Sequence, residues 1–275
     1  RGRFGPDVFR EAGIDFIQRN AAKPFLLYVP LTLTHGRTFA DPTVHTPLNM
    51  RTDRPEKEMF GDMVRYADRI VGEFVDELQR LKIDEKTIVL VATDNGTESR
   101  IVGRRNGREV RGGLYQMTEA GGNVGLVAYC PKMIAGGRTV ALADFTDILP
   151  TVCDFAGVEL PKDLKIDGVS QAKILRGGHG ATAPRSWILN QYNTRRVVRD
   201  ERYKLYSTGE FFDANHDPEE LADLSGTSDQ EQLMVKRKLQ GILDSLPADT
   251  PPPFKLRSQS AFKLEALKRA EQGGS

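Results

Sequence analysis

The sequence has few cysteines, no long apolar run and almost no net charge. Only Cys130 and Cys153 occur among 275 residues, with no Cys-x-x-Cys spacing, which excludes a disulfide scaffold. No apolar run approaches the roughly 20 residues that a membrane-spanning helix needs. The 39 Lys and Arg residues against 38 Asp and Glu leave a net charge of +1, whereas dedicated nucleic-acid binders usually carry a basic stripe. The composition therefore predicts a globular protein that binds neither nucleic acid nor a membrane.

The length and apolar content bound the number of domains. Hydrophobic residues make up 39% of the chain, which is enough to bury a sizeable core. The length allows one large domain, or one domain with a smaller partner. Arg1 stands where an initiator Met would be, and no apolar leader segment follows it, so we expect the chain to be cut from something longer.

The first part of the chain alternates helix and strand patterns. Helical spacing of apolar residues predicts helices over 7–19, 56–81 and 144–158. Continuous apolar runs predict buried strands over 25–31, 87–93 and 124–130, while 32–55 and 96–122 are expected to be loops. This order predicts an α/β fold with a helix-covered, mostly parallel or mixed sheet.

After Pro161 the sequence pattern changes to short segments. Short segments broken by turn residues predict a small antiparallel sheet, and a helix follows over 229–246. The predicted strands cover 187–192, 196–199, 202–206 and 210–212. We expect an α/β domain over 1–160, a small α+β subdomain over 161–247, and a Pro-rich connector with a polar tail over 248–275.

Polar side chains follow two of the predicted strands. His35 comes after the first strand, and Asp94 and Asn95 come directly after the second. Ligands of parallel α/β sheets gather at the carboxyl ends of the strands, and Asp and Asn oxygens suit Ca²⁺ or Mg²⁺. Asp-Asn-Gly is also ordinary turn chemistry, and His45 on the same loop is a rival of His35 for a functional role. The residues alone leave both questions open.

Arginines are concentrated in the predicted loop that follows Asn95. They could capture a sulfated or phosphorylated substrate, or they could form a solvated loop surface. The five arginines are Arg100, Arg104, Arg105, Arg108 and Arg111. Cys130 and Cys153 fall on a predicted strand and a predicted helix, a placement more typical of buried thiols than of nucleophiles.

Seven short motifs occur in the order found in one enzyme family. The motifs are residues 23–31 leading to His35, residues 66–72, residues 87–96 with their Thr-Asp-Asn-Gly end, residues 144–151, Asp167-Gly168-Val169-Ser170, Val198-Arg199-Asp200 with Tyr203-Lys204-Leu205-Tyr206, and Phe212-Asp213 with Asp217-Pro218-Glu219. In this order the chain resembles the C-terminal part of a sulfatase of the arylsulfatase type, in the alkaline phosphatase superfamily.

The resemblance implies hydrolysis of a sulfuric ester, either of a small molecule or of a carbohydrate. Family members use a formylglycine made from Cys or Ser, and a bound Ca²⁺. By resemblance Asp94 and Asn95 are Ca²⁺ ligands and His35 lies near the leaving oxygen of the ester. His45, which keeps the family's His-x-Pro pattern where His35 does not, and Arg111 of the arginine cluster are the candidate substrate-binding residues. The family also implies a periplasmic or secreted protein. Two other interpretations stay open: a phosphoesterase of the same superfamily, and a non-catalytic sulfatase-like binding or structural protein.

Two departures from the family pattern bear on activity. The Cys/Ser-x-Pro-x-Arg motif that yields formylglycine does not occur in this sequence, so we expect an incomplete or inactive portion of a sulfatase. Leu114 stands where the family's sulfate-binding Lys is expected, and Gly125 replaces a Pro. Loss of a cation aimed at the sulfuryl oxygens should weaken transition-state stabilisation substantially.

Overall fold

The structure is a computed structural model that describes residues 4–34, 56–105, 107–177, 183–192 and 194–246. Six α-helices and eight strands lie in these ranges. The helices are α1 Gly5–Asn20, α2 Glu56–Arg80, α3 Glu119–Gly122, α4 Ile148–Ala156, α5 Ala172–Leu175 and α6 Gln230–Ser245. The strands are β1 Val89–Ala92, β2 Val102–Arg105, β3 Arg108–Arg111, β4 Leu126–Tyr129, β5 Ile188–Tyr192, β6 Arg195–Arg199, β7 Tyr203–Tyr206 and β8 Phe211–Asp213.

Helices α1 and α2 pack against each other, and both are confirmed where the apolar spacing predicts them. Pro6 lies in the first turn of α1, where its missing N–H costs no hydrogen bond. Ile17 of α1 meets Leu78 of α2 and Ile83 in a buried cluster. At the edge of this contact Arg10 donates to Glu73 at 3.1 Å. Helices α1 and α2 therefore form one packed layer in the N-terminal part of the chain.

Residues 25–31 run along this layer without joining a strand ladder, so the strand predicted there is wrong within the described residues. Phe25 and Leu27 pack on the cluster around Ile17, whereas Leu26 is 75% exposed and Tyr28 is 83% exposed. An extended chain points successive side chains to opposite sides. One side of this apolar run is covered by helices, and the other faces solvent.

Strands β1 and β4 form a two-stranded antiparallel sheet, with Val89 opposite Tyr129 and Ala92 opposite Leu126. The α/β class is confirmed, but every strand pair among the described residues is antiparallel. The connection from β1 to β4 explains this difference. It holds a hairpin and the single turn of α3, but no crossover helix to carry the chain back to the starting end of the sheet.

The predicted loop over 96–122 contains regular structure, and the loop prediction is wrong in that respect. Strands β2 and β3 form an antiparallel hairpin in which Arg105 lies opposite Arg108. Asn106-Gly107 is the sequence typical of a two-residue hairpin turn, and Gly107 has a φ of 80° that favours glycine. The hairpin lies between the Asp94-Asn95 turn and α3.

The helix predicted over 144–158 begins with a 3-10 turn at Phe145–Asp147 and continues as α4. The carboxylate of Asp147 is 2% exposed, and it accepts hydrogen bonds from Val169 N at 2.8 Å and from Gln171 Nε2 at 2.9 Å. Arg185 forms an ion pair with the same carboxylate. At Gly168 an added Cβ would lie 1.8 Å from Thr146 O, so this contact requires glycine. The Asp167–Ser170 motif is therefore held directly against the start of α4.

The predicted small antiparallel sheet and the helix after it are confirmed. The strand order is β5-β6-β7-β8, and α6 covers the sheet. Asp229 caps α6 by accepting a hydrogen bond from Gln232 N at 2.9 Å. Four core residues from the sheet and α6 are fully buried: Val198, Leu205, Phe211 and Leu239.

Within the part of the chain that the structure covers, none of the helices has the length and apolar character needed to cross a bilayer. The boundaries at 160 and 247 stay a prediction.

Candidate active site

The Thr93–Gly96 turn follows β1 and is bonded on both sides. Thr93 N donates to Gly125 O at 3.1 Å, which continues the β1–β4 ladder by one bond. Gly96 N donates to Gly121 O at 2.9 Å, which joins the far end of the turn to α3. The four residues are therefore fixed at the end of β1 by backbone hydrogen bonds to β4 and α3.

Close backbone contacts in this region leave no room for side chains. A Cβ added at Gly96 would lie 1.9 Å from Ala120 O, and one at Gly121 would lie 2.1 Å from Gln116 O. Real Cβ atoms do not approach backbone oxygens so closely. Glycine at 96 thus allows the turn and α3 to touch through their main chains, and glycine at 121 allows α3 to pack against the main chain of Gln116.

Asp94 and Asn95 are both exposed at the tip of the turn. Asn95 N donates to Asp94 Oδ1 at 2.8 Å, which fixes the carboxylate against the main chain. Carboxylate and amide oxygens are the donor types that Ca²⁺ prefers, but the ion takes about 6–8 of them. Among the described residues, no three or more His, Cys, Asp or Glu side chains gather as a metal site. The turn therefore fits part of a Ca²⁺ shell, and no reaction step through the ion follows from these residues.

Leu114, at the expected Lys position, is half-buried, and its N donates to Thr97 O at 2.9 Å. Its isobutyl side chain offers no positive charge to an ester. Lys204 does not replace the missing cation, because its Nζ donates to Met117 O at 2.6 Å and forms an ion pair with Glu220. Because its side chain is only 3% exposed, the ammonium group of Lys204 pairs with buried groups and not with a ligand at the surface.

Glu119, in the first turn of α3, joins the turn region to the C-terminal sheet. Both of its carboxylate oxygens accept hydrogen bonds from Arg199 Nη1 at 2.7 Å, and Lys204 Nζ lies 3.6 Å from Oε1. On the other side of Lys204, Tyr206 Oη donates to Glu220 at 2.5 Å. Burial, reinforced by the neighbouring Glu220 carboxylate, raises the pKa of Tyr206 well above its usual range.

Sequence reasoning missed this buried network, because its members lie far apart along the chain and have no spacing pattern. Glu119 and Arg199 are separated by 80 residues. Hairpin β2–β3, in contrast, could have been predicted, because Asn106-Gly107 is a sequence typical of a two-residue hairpin turn.

Arg111, the predicted substrate contact, is exposed on β3, and its Nη1 donates to Ser99 O at 3.1 Å. The structure therefore places Arg111 on the same connection as Asp94 and Asn95. His35 and His45 lie outside the described residues, and their assigned roles stay predictions. Cys130 is a buried free thiol and Cys153 a half-buried one, as expected for packing residues.

Comparison with known proteins identifies the family. Residues 6–158 match the family model described as Sulfatase. The chain is 33% identical over 169 residues to steryl-sulfatase of Mus musculus, which covers 59% of this chain and 26% of that protein. It is 29% identical over 221 residues to arylsulfatase G of Rattus norvegicus, which covers 73% of this chain and 40% of that protein. The chain thus spans less than half the length of these two relatives.

A solved structure supports the fold. The crystal structure of Ps i-CgsB in complex with k-i-k-neocarrahexaose superposes with a TM-score of 0.66 at 18% identity, covering 98% of this chain and 61% of that one. At this identity the likeness shows the fold alone. The family model, in contrast, covers more than half of the chain. The chain belongs to the sulfatase family.

Proposed function

We propose that this chain contributes the metal-binding turn of a sulfuric ester hydrolase. The observation that carries the proposal is the Thr93–Gly96 turn, which backbone bonds to Gly125 and Gly121 fix at the end of β1 with Asp94 and Asn95 exposed. Family membership supports the reaction class. The 275 residues contain no Cys/Ser-x-Pro-x-Arg string, and we propose no nucleophile among them.

In this proposal each candidate residue has a chemical task. Asp94 and Asn95 supply oxygen ligands to Ca²⁺, which when bound offsets the negative charge on the sulfuryl oxygens. His35 protonates the leaving oxygen of the ester, because an alkoxide or phenoxide leaves more easily as the neutral alcohol. His45 and the Arg111 guanidinium contact the substrate, the latter through charge-assisted hydrogen bonds to oxyanions.

The substrate in this proposal is a sulfate ester of a small molecule or of a carbohydrate. The relatives named above include a steryl-sulfatase, and the structural neighbour holds a neocarrahexaose. We also propose export to a periplasmic or extracellular space, on the family resemblance alone.

One observation favours the non-catalytic alternative. Leu114 is fixed by its bond to Thr97 O at the position where the family resemblance expects Lys. Deleting one preorganised donor from an active site costs about 3–4 kcal/mol of transition-state stabilisation. A sulfatase-like protein that binds a sulfated ligand without cleaving it would tolerate this residue.

Calcium titration of the purified chain tests the proposal. We expect calorimetry to show Ca²⁺ binding with a Kd of about 1 mM or weaker, because two side chains supply only part of the shell. Asp94→Asn should abolish the binding, since it removes the only carboxylate of the turn. Asp163→Asn is the matched control, because Asp163 is an exposed carboxylate elsewhere in the chain.

The activity arm uses 4-nitrophenyl sulfate with excess Ca²⁺. We expect no turnover above the uncatalysed rate from these 275 residues. Calcium binding that survives Asp94→Asn, or aryl sulfate cleavage that does not respond to that change, would contradict the roles assigned to the turn.

A further inference from the structure

The β2–β3 hairpin presents arginines on both of its faces. Cross-strand partners share a face and neighbouring pairs alternate, so the pair Arg105 and Arg108 lies on one face. Arg104, opposite Glu109, lies on the other face together with Arg111. The segment 98–111 holds five arginines against two glutamates, in a chain whose net charge is only +1. The positive charge is therefore concentrated on this hairpin.

Three of these arginines have no partner among the described residues. Arg104, Arg105 and Arg108 are exposed and make no hydrogen bond or ion pair there, although Glu109 lies directly opposite Arg104. In contrast, Arg100 is paired with Glu98, and Arg111 donates to Ser99 O. The guanidinium groups nearest the hairpin tip are thus available to a ligand.

The arrangement of Arg105 and Arg108 is unfavourable for the isolated hairpin. Like charges directly opposite each other on an antiparallel pair lie about 5 Å apart at Cβ and destabilise it. A bound oxyanion between the two guanidinium groups would reverse the sign of this interaction, since each fork donates two hydrogen bonds to a sulfate or phosphate group.

We propose that the hairpin surface formed by Arg104, Arg105 and Arg108 binds a polymer that carries sulfate groups along its length. Arginines on both faces suit successive anionic groups of one chain better than a single ion. The polymer is a sulfated polysaccharide. This identification rests on the proposed function, because the hairpin lies in the same connection between β1 and β4 as Asp94 and Asn95. The ester to be bound would then be one group of a multiply sulfated chain.

The sequence of the hairpin itself argues against nucleic acid as the ligand. Residues 101–112 contain no aromatic side chain on which bases could stack. The chain as a whole is nearly neutral, whereas dedicated nucleic-acid binders usually carry an extended basic surface.

Binding to immobilised dextran sulfate, measured at several salt concentrations, tests the inference. We expect the full chain to bind dextran sulfate but not unsulfated dextran, with an affinity that falls as salt is raised. The double variant Arg105→Gln/Arg108→Gln should bind about 3- to 10-fold more weakly, because two exposed charge contacts are lost. The matched control is Arg138→Gln/Arg237→Gln, which removes two exposed arginines elsewhere and should bind like the unaltered chain.

Three results would overturn the inference: equal loss of affinity in both double variants, no preference over unsulfated dextran, or tighter binding of duplex DNA than of dextran sulfate at the same salt. The hairpin variant should unfold at an equal or higher urea concentration, since it removes a like-charge pair, so weakened binding cannot come from misfolding. Binding involves no ester cleavage and no Ca²⁺. A chain that fails the calcium test but binds dextran sulfate would therefore disprove only the role of the Asp94–Asn95 turn.

Discussion

The C-terminal sheet and the β1–β4 sheet are both small, yet they differ in how completely they are covered. In the first, β6, β7 and α6 enclose Val198, Leu205 and Leu239, each with no exposed surface. In the second, Leu126 is 45% exposed and Val127 is 61% exposed, although both lie on strand β4. One sheet has a complete hydrophobic core, whereas the other leaves apolar side chains on both faces of β4 open to solvent, because successive residues of a strand point to opposite faces.

The difference follows from what covers each sheet. The C-terminal sheet is covered on both faces, because α6 packs on Val198, Leu205 and Phe211, and Met117 packs with Val197, Tyr206 and Phe212 on the opposite face. The runs over 25–31 and 126–129 are apolar on both sides, a pattern that requires covering layers on both. The described residues supply one such layer, α1 with α2. Among the described residues, the apolar side chains of Leu26, Tyr28, Leu126 and Val127 stay exposed.

The largest expected effect comes from breaking the link between the two regions. Glu119→Gln should lower the free energy of unfolding by about 3–5 kcal/mol, because Arg199 and the nearly buried Lys204 lose a carboxylate in a poorly hydrated site. Urea unfolding measures the change. Glu98→Gln, which removes a more exposed partner of Arg100, should cost under about 1 kcal/mol. Equal effects of the two changes would show that the buried link stabilises no more than a surface pair.

A pair of leucine truncations compares the two sheets directly. Leu205→Ala should cost about 2–5 kcal/mol, since it leaves a cavity in a fully buried core. Leu126→Ala should cost under about 1 kcal/mol, because nearly half of that residue is already in water. Urea unfolding at neutral pH measures both values. If the leucine on β4 proves as costly as the one on β7, Leu126 is covered in solution.

The smallest effect on stability, but a clear one on surface chemistry, is expected at residues 26 and 28. The unaltered chain should bind a hydrophobic dye such as anilinonaphthalene sulfonate, because it exposes Leu26 and Tyr28. Leu26→Gln/Tyr28→Gln should lower dye fluorescence while changing the free energy of unfolding by about 0.5 kcal/mol or less. Leu221→Gln/Met234→Gln removes two exposed apolar side chains elsewhere and serves as control. An equal loss of dye fluorescence in both double variants would argue against a local apolar surface at residues 26 and 28.

Helices and strands whose pattern is local could be predicted from the sequence. The apolar stripe of α2 and the capping residue of α6 lie within a few residues of the structures they specify. The pairing of β1 with β4 could not be predicted in the same way, because its direction depends on whether the connection contains a crossover helix. Apolar composition alone does not distinguish a parallel strand from an antiparallel one when both are buried.

The residues of the candidate site likewise divide into those that have a local signal in the sequence and those that do not. Asp94 and Asn95 could be proposed as ligands because strand, turn and ligand chemistry adjoin each other in the sequence, and that role stays a prediction. Glu119, which joins α3 to the C-terminal sheet, has no such local signal, since its partner Arg199 belongs to β6. Close packing at Gly96 was equally hidden, because glycine in Asp-Asn-Gly is explained by turn preference without any neighbour.

The hydrogen bonds at the base of the β2–β3 hairpin have a consequence for sequence changes within the hairpin. Gly112 N donates to Ile101 O, and Leu114 N donates to Thr97 O, so the chain is closed below the hairpin before it reaches α3. Lengthening a closed loop adds little entropic cost, about 0.6 kcal/mol for each doubling. We therefore expect changes in the length or charge of the hairpin to leave the Asp94–Asn95 turn in place, because the chain is closed below the hairpin.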